Sequence, residues 1–425
     1  MTKISKIASD STWLKDNEVL ECIKESIKDK KDSLKKVLLI PPDYTRLHSG
    51  AGKITAMYYD LLKDTCKIDI LPALGTHEPM QDSEIEEMFG KDIPKESIIN
   101  HNWKTDVVKL GEVPAEFVNE VSEGLVNEKI DVEVNKLLMD KSYDLIISIG
   151  QVVPHEVVGM ANYSKNIFVG CGGSNMINAS HMLGAFYGME RMMGKDSTPV
   201  RKVFDYAEEK FIKDIPLLYV LTVTTAPEGV IKIHGLFAGR DRSLFEEAVK
   251  LAQQKNLTFL DEPLKKVVVY LDDREFKSTW LGNKSIYRTR MAIADGGELI
   301  VLAPGVRKFG EDDENDRLIR KYGYVGRKNV LELVKDNDDL KENLSVAAHL
   351  IHGSSDDRFS ITYAVEKLTK EEVEKANFKY MLLDEALKLY DPKVLKDGVN
   401  TLSNGEEIFY ISNPALGLWA DRNKF

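Results

Sequence analysis

Apolar, strand-like runs alternate with polar loops and amphipathic helices along this chain, and this alternation restricts its fold more than any other feature. One unit consists of the run KVLLI, the loop PPDYTR and the helical stretch GKITAMYYDLLKD. The stretches KIDILPALGTH and YDLIISIGQVVPHE repeat the step from strand to loop. Such alternation predicts an α/β fold built around a mostly parallel sheet.

The length of the chain and a break in its pattern predict two domains. A single hydrophobic core stops growing at about 250–300 residues, and this chain has 425. Pro263 and a charged stretch separate a predicted helix at 244–255 from a new strand, KVVVYLDD. We therefore predict two α/β domains, residues 1–262 and 263–425, with the active site in the cleft between them. A return of the last residues to the first domain stays open.

The composition favours small molecules as partners. The net charge of −11 and the pI near 5.4 argue against a nucleic-acid-binding surface, which needs clustered Lys and Arg. Three widely spaced cysteines fit a reducing compartment. The N-terminal stretch lacks the apolar core of a signal peptide, and no apolar run reaches the ~20 residues that span a bilayer. We predict a cytoplasmic protein with neither nucleic acid nor membrane as partner.

Polar, titratable residues follow three of the predicted strands, at 43–46, 75–77 and 151–155. Ligands of open α/β sheets bind at the carboxyl ends of the strands, so chemistry is expected in these loops. Arg46 has the guanidinium that grips a carboxylate or phosphate in a bidentate manner, and His77 and His155 have side chains suited to proton transfer near neutral pH. Solvated surface loops are the alternative.

The stretch LHSGAGKIT superficially resembles a nucleotide-binding P-loop. It lacks the first glycine of that motif, and Ile54 stands where Ser or Thr would hold magnesium. Nucleoside triphosphate hydrolysis is therefore disfavoured. Ser49 and Gly50, at the start of a predicted helix, still suit a phosphate or carboxylate, with an ordinary helix cap as the alternative.

The run PHEVVGMANYSKNIFVGCGGSNMINASH holds His155, Lys165 and His181. Their spacing is too wide for a zinc motif such as H-E-x-x-H. We predict a strand, IFVG, after Lys165, and then a helix capped by Ser174 or Asn175 in which His181 lies about two turns from the start. Taken singly, each of the three residues has an ordinary structural explanation.

Taken together, D-x-T-R, then G-T-H, then H-x9-K and x15-H form a pattern that resembles the nickel-pincer lactate racemase family. The resemblance extends over the length and two-domain layout of the chain, with the motifs in the family's order. It implies a lysine joined through a thioamide to a pyridinium-3-thioamide-5-thiocarboxylic acid mononucleotide, which holds nickel through two sulfurs and a ring carbon, and a histidine that completes the square plane. Lys165 matches the lysine and His181 the nickel ligand. Asp43 and Thr45 would help to seat the substrate or the cofactor phosphate. Ser49 and Gly50, from their place at the helix start, are the further predicted cofactor contacts.

The resemblance also implies a reaction. His77 or His155 takes the hydroxyl proton of a 2-hydroxy acid while hydride passes from C2 to the cofactor. A planar 2-keto acid results, hydride returns to either face, and the other histidine returns the proton. Arg46 holds the substrate carboxylate. The enzymes that build the cofactor are implied as transient partners, and protein made without them lacks it.

Departures from the family pattern point to the substrate. Tyr44 replaces the histidine and Leu47 the proline of the common D-H-T-R-P, and LGNK keeps Lys284 without the glutamine of the family's Q-x-x-K. The predicted substrate contacts are Arg46, Lys284, Asn283, Tyr44, Arg288 and Arg358. Such polar groups favour a substrate with more hydroxyls than lactate, such as an aldonate epimerised at C2. Lactate itself and a non-catalytic hydroxy-acid- or phosphate-binding role remain the alternatives, and a merely polar surface would look similar.

Overall fold

The computed structural model describes residues 3–415 and 417–425. The chain forms two compact units, one made of Met1–Tyr187 and Met192–Asn256 and the other of Gly188–Arg191 and Leu257–Phe425. The mixed α/β architecture confirms the predicted fold class. Among the described residues, none of the helices has the length and apolar character needed to cross a membrane.

The first unit is built from strands that are mostly short and from helices of about two to four turns. Its strands are β1 (Ile4–Ile7), β2 (Lys36–Ile40), β3 (Lys67–Ile70), β4 (Val107–Val113), β5 (Ile130–Asn135), β6 (Leu145–Gln151), β7 (Pro154–His155), β8 (Gly159–Met160), β9 (Leu217–Thr225) and β10 (Lys232–Gly239). Its helices are α1 (Asp16–Ile27), α2 (Ala51–Leu62), α3 (Asp82–Phe89), α4 (Ala115–Val121), α5 (Ser174–Tyr187), a single turn α6 (Met189–Met192) that also belongs in part to the second unit, α7 (Pro199–Ala207) and α8 (Arg242–Asn256).

The main sheet of this unit has the strand order β1-β10-β9-β6-β2-β3. The strands β9, β6, β2 and β3 run parallel to one another, and β10 and β1 continue the sheet antiparallel. The loops after β6, β2 and β3 therefore leave the same edge of the sheet side by side. This is the edge at which the sequence predicts the functional residues.

Both faces of the sheet are covered, because successive side chains of a strand point to opposite faces. Leu38 and Ile40 of β2 belong to a core cluster that includes buried residues of α5, α7 and α8. Val37 and Leu39 belong to a second cluster with α1, α2 and α3. Burial on both sides explains why KVLLI is continuously apolar, as expected of an internal parallel strand.

The second unit has a separate sheet with the order β15-β14-β13-β12-β17-β16, in which β16 alone is antiparallel to its neighbour. Its strands are β11 (Leu257–Leu260), β12 (Leu264–Tyr270), β13 (Ile293–Leu302), β14 (Ser360–Val365), β15 (Lys379–Leu382), β16 (Gly398–Thr401), β17 (Glu407–Ile411) and β18 (Leu418–Asp421). Its helices are α9 (Thr279–Gly282), α10 (Lys284–Thr289), α11 (Asp313–Tyr322), α12 (Arg327–Asp336), α13 (Asp338–Lys341), α14 (Leu344–His352), α15 (Lys370–Lys375) and α16 (Leu383–Leu389).

Two local predictions are wrong. The run IFVG is not a strand, because Asn166–Gly170 forms one turn of π-helix; a short buried apolar run does not distinguish strand from helix by its pattern. Neither Ser174 nor Asn175 caps the following helix, which begins at Ser174. Instead, the backbone N–H of Asn175 donates to the carboxylate of Glu133 on β5, at 3.1 Å.

Candidate active site

An aspartate–histidine pair joins the loops after β2 and β3. The Nδ1 of His77 lies 2.5 Å from Oδ2 of Asp43, which is buried. Because a carboxylate only accepts, His77 carries its proton on Nδ1 and leaves Nε2 as the basic nitrogen. Burial by itself raises the pKa of Asp43, but the charge and hydrogen bond of His77 and the nearby Arg46 outweigh it and hold the pKa well below the ordinary range.

The same loop positions Thr45 and Arg46 beside the pair. Both the hydroxyl of Thr45, at 2.5 Å, and its backbone N–H, at 3.0 Å, donate to Oδ1 of Asp43. Nη1 of Arg46 donates to the carbonyl and the hydroxyl oxygen of Thr45, both at 3.2 Å. Arg46 is half-buried, and no further hydrogen bond of its guanidinium exists within the described part of the chain. Its second donor edge therefore suits a carboxylate of a ligand.

His155 lies at the end of the two-residue strand β7, in the loop region after β6. Its Nδ1 accepts a hydrogen bond from the backbone N–H of Val157 at 3.1 Å. The neutral ring therefore carries its proton on Nε2, which is the opposite tautomer to that of His77. The carboxylate of the neighbouring Glu156 lies 3.9 Å from the same Nδ1.

Lys165 is half-buried and stands immediately before the π-helical turn. Burial, followed by the positive charge of Arg46, lowers the pKa of Lys165 to about 8, although the carboxylates of Glu156 and Asp43 oppose the shift. An amine with this pKa is still mostly charged near physiological pH, but its neutral fraction is far larger than that of an ordinary lysine, and the neutral amine is the nucleophilic form. These three charged residues, Arg46, Asp43 and Glu156, therefore lie near enough to Lys165 to act on its charge.

His181 lies two turns into α5, as predicted, and is half-buried. Its Nδ1 donates to the backbone carbonyl of Ile177 at 2.7 Å, which leaves Nε2 with its lone pair. Burial, with a smaller effect of the charge of Lys165, lowers the pKa of His181 to about 4, although the Ile177 hydrogen bond and the charge of Glu156 oppose the shift. The imidazole is therefore neutral at physiological pH, which is the form that binds a metal ion.

Buried polar groups fix the loop between the π-helical turn and α5. The Nε2 of His101 donates to the carbonyl of Gly172 at 3.0 Å, and the amide of Asn135 donates to Nδ1 of His101 at 2.9 Å. The amide side chain of Asn175 donates to Glu133 at 2.8 Å. These contacts connect β5 to the start of α5, so the helix that carries His181 has a defined position relative to Lys165.

Three residues of this region that were predicted to contact cofactor or substrate make contacts within the protein instead. Ser49 is fully buried and its hydroxyl accepts from the N–H of Ala51 at 3.1 Å. Gly50 is buried with a φ of 71°, where a side chain would meet Ile233. The hydroxyl of Tyr44 donates to Glu87 on α3 at 2.7 Å. Contacts of these three residues with cofactor or substrate stay predictions.

The predicted residues of the second unit fall into two groups. Lys284 is buried in the segment between β12 and β13, 4.0 Å from Glu275, and the adjacent Asn283 accepts from the hydroxyl of Tyr363 at 2.7 Å. Arg288, one turn after Lys284, donates to the carbonyl of Gly417 at 3.4 Å.

Arg358 differs in position, because it directly precedes β14 and lies 3.6 Å from Asp295 near the start of β13. It is therefore at the amino ends of these strands, whereas ligands of such sheets bind at the carboxyl ends. The substrate-binding roles of Arg358 and of the other three residues stay predictions.

Sequence reasoning missed two charged residues of the first unit. Glu156 acts electrostatically on both Lys165 and His181. Arg201 on α7 is fully buried and contacts the segment just before Lys165. A signal for Arg201 exists, because it falls within the apolar stripe of its helix, beside Val200 and Phe204.

Fold and site together define an α/β protein whose first unit holds a carboxylate–histidine pair, a lysine of lowered pKa and a neutral, helix-bound histidine. Residues 15–194 match the family model described as the lactate racemase N-terminal domain. This part of the chain is therefore similar to that domain.

Solved structures share the fold over nearly the whole chain. A protein from Thermotoga maritima has a TM-score of 0.81 and 24% identity, over 96% of this chain and 98% of its own. The lactate racemase apoprotein from Thermoanaerobacterium thermosaccharolyticum has a TM-score of 0.69 and 18% identity, over 94% of this chain and 92% of its own. A search of the curated proteins finds no match.

Proposed function

We propose that this protein is a racemase or epimerase that inverts C2 of a 2-hydroxy acid with a nickel-pincer nucleotide bound covalently to Lys165. The observation that carries the proposal is the convergence on one site of the Asp43–His77 pair, Arg46, Lys165 and His181. The match of residues 15–194 to the lactate racemase N-terminal domain supports it.

The residues fit this cofactor. Lys165 provides an amine that is substantially neutral near its pKa of about 8, as a covalent bond to a thioacid requires. His181 provides the lone pair of Nε2. No cluster of three or more His, Cys, Asp or Glu side chains suited to a metal occurs among the described residues, so His181 would act with donors from a bound group. When bound, the nickel-pincer nucleotide supplies the hydride acceptor that an unactivated 2-hydroxy acid needs.

His77 is the base in this proposal, and Arg46 binds the substrate. The free donor edge of Arg46 pairs with the substrate carboxylate. Nε2 of His77 then takes the hydroxyl proton, and the resulting imidazolium keeps its Nδ1–H bonded to Asp43. The buried carboxylate of Asp43 stabilises this charged form, as the aspartate of a catalytic triad does for its histidine.

His155 returns the proton on the other face in this proposal. Donation requires its imidazolium form, because a neutral ring that gives up Nε2–H would become an imidazolate. To form that imidazolium, Nδ1 gives up the hydrogen bond that it accepts from the N–H of Val157 and gains a proton. The Glu156 carboxylate, 3.9 Å from Nδ1, stabilises the charge. The cofactor-building enzymes are the proposed transient partners, and the cytoplasm is the proposed compartment.

We infer that the substrate has more hydroxyl groups than lactate. Lys284 is the proposed second contact for the carboxylate or a hydroxyl, and Asn283, Tyr44 and Arg288 add polar groups in the predicted set. A site that binds an extra hydroxyl rejects analogues without it, because its polar groups would be left unpaired. Aldonates are therefore preferred over lactate.

The test is a screen of 2-hydroxy acids, aldonates and lactate included, with protein co-produced with the cofactor-building enzymes. We expect inversion at C2 with little solvent deuterium at that carbon, a mass increase on Lys165, and nickel. An unmodified Lys165 and no nickel in protein purified from its native source would overturn the cofactor assignment. Turnover of lactate alone would overturn the substrate class and leave the racemase assignment standing.

A further inference from the structure

Arg201 is a buried cation in a place that ordinary helix rules disfavour. It is 0% exposed and lies in the first turn of α7, whose N-cap is Thr198. A cation there opposes the helix dipole. Within the described residues no carboxylate approaches its guanidinium within 4.0 Å, and Asp205 and Asp196 act on it from farther away. Residues that break local structural preferences in this way, here a buried cation in the first turn of a helix, occur most often at functional sites.

The guanidinium of Arg201 holds the chain segment that ends immediately before Lys165. Its Nη2 donates to the carbonyls of Met160, at 2.7 Å, and Asn162, at 3.2 Å. Its Nη1 donates to the hydroxyl of Ser164 at 2.7 Å. One side chain thus binds three of the five residues from 160 to 164.

This segment has an unusual backbone that needs such support. Asn162 and Tyr163 both have positive φ, 63° and 57°, a conformation that is uncommon for a bulky residue such as tyrosine. Lys165 follows directly and is in turn followed by the π-helical turn. Left-handed residues and π-turns persist where the surrounding structure holds them.

Aromatic packing completes the support. The ring of Tyr163 stacks on Phe245 with centroids 5.0 Å apart and planes at 20°, and the guanidinium of Arg201 lies 4.5 Å from the centroid of the same Phe245 ring. Arg201 and Tyr163 are therefore held on one aromatic platform, so movement of the arginine would move the turn.

We propose that Arg201 is the positioning residue of Lys165: it fixes the left-handed turn at Asn162 and Tyr163 and so fixes the place from which the Lys165 side chain extends. Only the reason for this positioning, which is to present the amine for covalent attachment, rests on the proposed function. The hydrogen bonds on which it depends are independent of any cofactor.

Arg240 provides a matched comparison in the same unit. Its guanidinium also donates to three backbone carbonyls, those of Lys213, Ile215 and Ile212, at 2.5–2.8 Å. None of these carbonyls belongs to the segment before Lys165. Replacement of the Arg240 side chain removes a similar set of hydrogen bonds and an ion pair with Glu208 at 3.5 Å. It leaves the backbone carbonyl of Arg240, which accepts from the hydroxyl of Tyr163 at 3.3 Å, in place, so it reports the effect of lost stability.

The test measures the reactivity of Lys165 in protein made without the cofactor-building enzymes. Cyanate is added at about pH 8; the neutral amine adds to isocyanic acid and forms carbamoyl-lysine, with no leaving group. Peptide mass spectrometry gives the rate for Lys165 relative to exposed lysines of the same chain. The variants are Arg201→Gln, Arg201→Lys, Ser164→Ala and Arg240→Gln, each with its melting temperature.

Arg201→Gln is expected to lower the relative rate at least about tenfold, because an amine that leaves this site regains the ordinary charge of a lysine. Arg240→Gln should stay within about twofold of the parent protein. Arg201→Lys, which keeps the charge, and Ser164→Ala, which keeps two of the three bonds, should fall between.

An unchanged rate in Arg201→Gln would overturn the proposal, and so would an equal loss in Arg240→Gln at a similar melting temperature. If Arg201→Gln does not fold, the two milder variants decide in the same way. Attachment of the cofactor is scored separately, from the mass of Lys165 after co-production. A parent protein that never gains this mass counts against the proposed function, while the cyanate rates still decide the role of Arg201.

Discussion

At the scale of single residues, two histidines share a tautomer but differ in the charge that their partners favour. His77 donates its Nδ1–H to the carboxylate of Asp43, and His181 donates its Nδ1–H to the carbonyl of Ile177. A buried carboxylate stabilises an imidazolium, whereas a neutral carbonyl in a buried place does not offset the loss of solvation. His77 therefore has an anionic partner, as the proposed base requires, and His181 has a neutral partner, as the proposed ligand requires.

The variant Asp43→Asn tests the charge of the pair. The two Thr45 donors hold Oδ1, so the amide of the variant keeps its oxygen there and turns its NH2 toward Nδ1 of His77. The imidazolium then loses its counterion, and the tautomer with the proton on Nδ1 is no longer favoured. We expect kcat of the matured enzyme to fall by about 10²–10⁴-fold, the range of a lost acid–base contribution, as measured by inversion at C2. Asp69→Asn is the control, because Asp69 is also buried and accepts from Tyr143 at 2.7 Å. Equal losses in the two variants would contradict the role of Asp43.

The lowered pKa of Lys165 gives a pH-dependent prediction. Isocyanic acid becomes scarcer as the pH rises, so the carbamylation rate of each lysine is divided by its concentration at that pH. Because the neutral amine reacts, this corrected rate for Lys165 in protein without cofactor should rise with pH and reach half its maximum near the pKa of about 8. Exposed lysines should reach theirs near pH ~10.4. The measurement is the labelling rate of each lysine peptide from pH ~6 to ~11. A midpoint for Lys165 equal to that of the exposed lysines would show that the site does not shift it.

At the scale of elements, the π-helical turn and α5 are held together by close backbone packing. A Cβ at Gly172 would lie 1.9 Å from the carbonyl oxygen of Phe168 in the π-helical turn. The loop therefore crosses this turn with room only for glycine. The position of α5, and of His181 on it, depends on this approach.

Gly172→Ala should consequently destabilise the protein more than an alanine placed in open space. We expect a loss of about 1–3 kcal/mol or more from the forced backbone shift, measured as the free energy of unfolding in urea. Gly405→Ala is the control: Gly405 has a φ of 83° with open space around it, so its cost should be about 1 kcal/mol. A smaller loss for Gly172→Ala than for the control would contradict the close packing.

The sequence predicts those elements whose hydrophobic pattern is local to the element. The predicted strands KVLLI and YDLIISIGQ correspond to β2 and β6, and the helix predicted near 244–255 is α8. The π-helical turn was not predictable, since its amide anchor, Asn166, bonds to Ile40 and Ser148, which are far away in the sequence. The role of Arg201 was hidden for the same reason.

At the scale of the whole molecule, the candidate residues divide between the two units. The Asp43–His77 pair, Lys165 and His181 belong to the first unit, and Lys284 belongs to the second. Each unit has its own sheet and core. In the proposed function, cofactor attachment is therefore a property of the first unit, whereas substrate affinity also depends on the second.

Lys284→Met should accordingly raise KM without changing the mass added to Lys165. Loss of a hydrogen bond to a charged group corresponds to about 1.5–3 kcal/mol, which is a rise in KM of about 10- to 100-fold. Steady-state kinetics and intact mass on the same preparation provide the two readouts. Lys277→Met is the control, since Lys277 lies in the same segment and is exposed. A rise in KM for both variants, or loss of attachment in Lys284→Met, would contradict this division.

The bond from His181 to Ile177 has a consequence for how such a centre is inherited or built. Donor and acceptor are four residues apart on one helix, so this helical segment by itself determines that the proton of the proposed ligand is on Nδ1. A segment of this kind, placed in another protein where it stays helical and buried, would bring an imidazole already set to bind a metal. Selection or design would then need to supply only the partner on the opposite side.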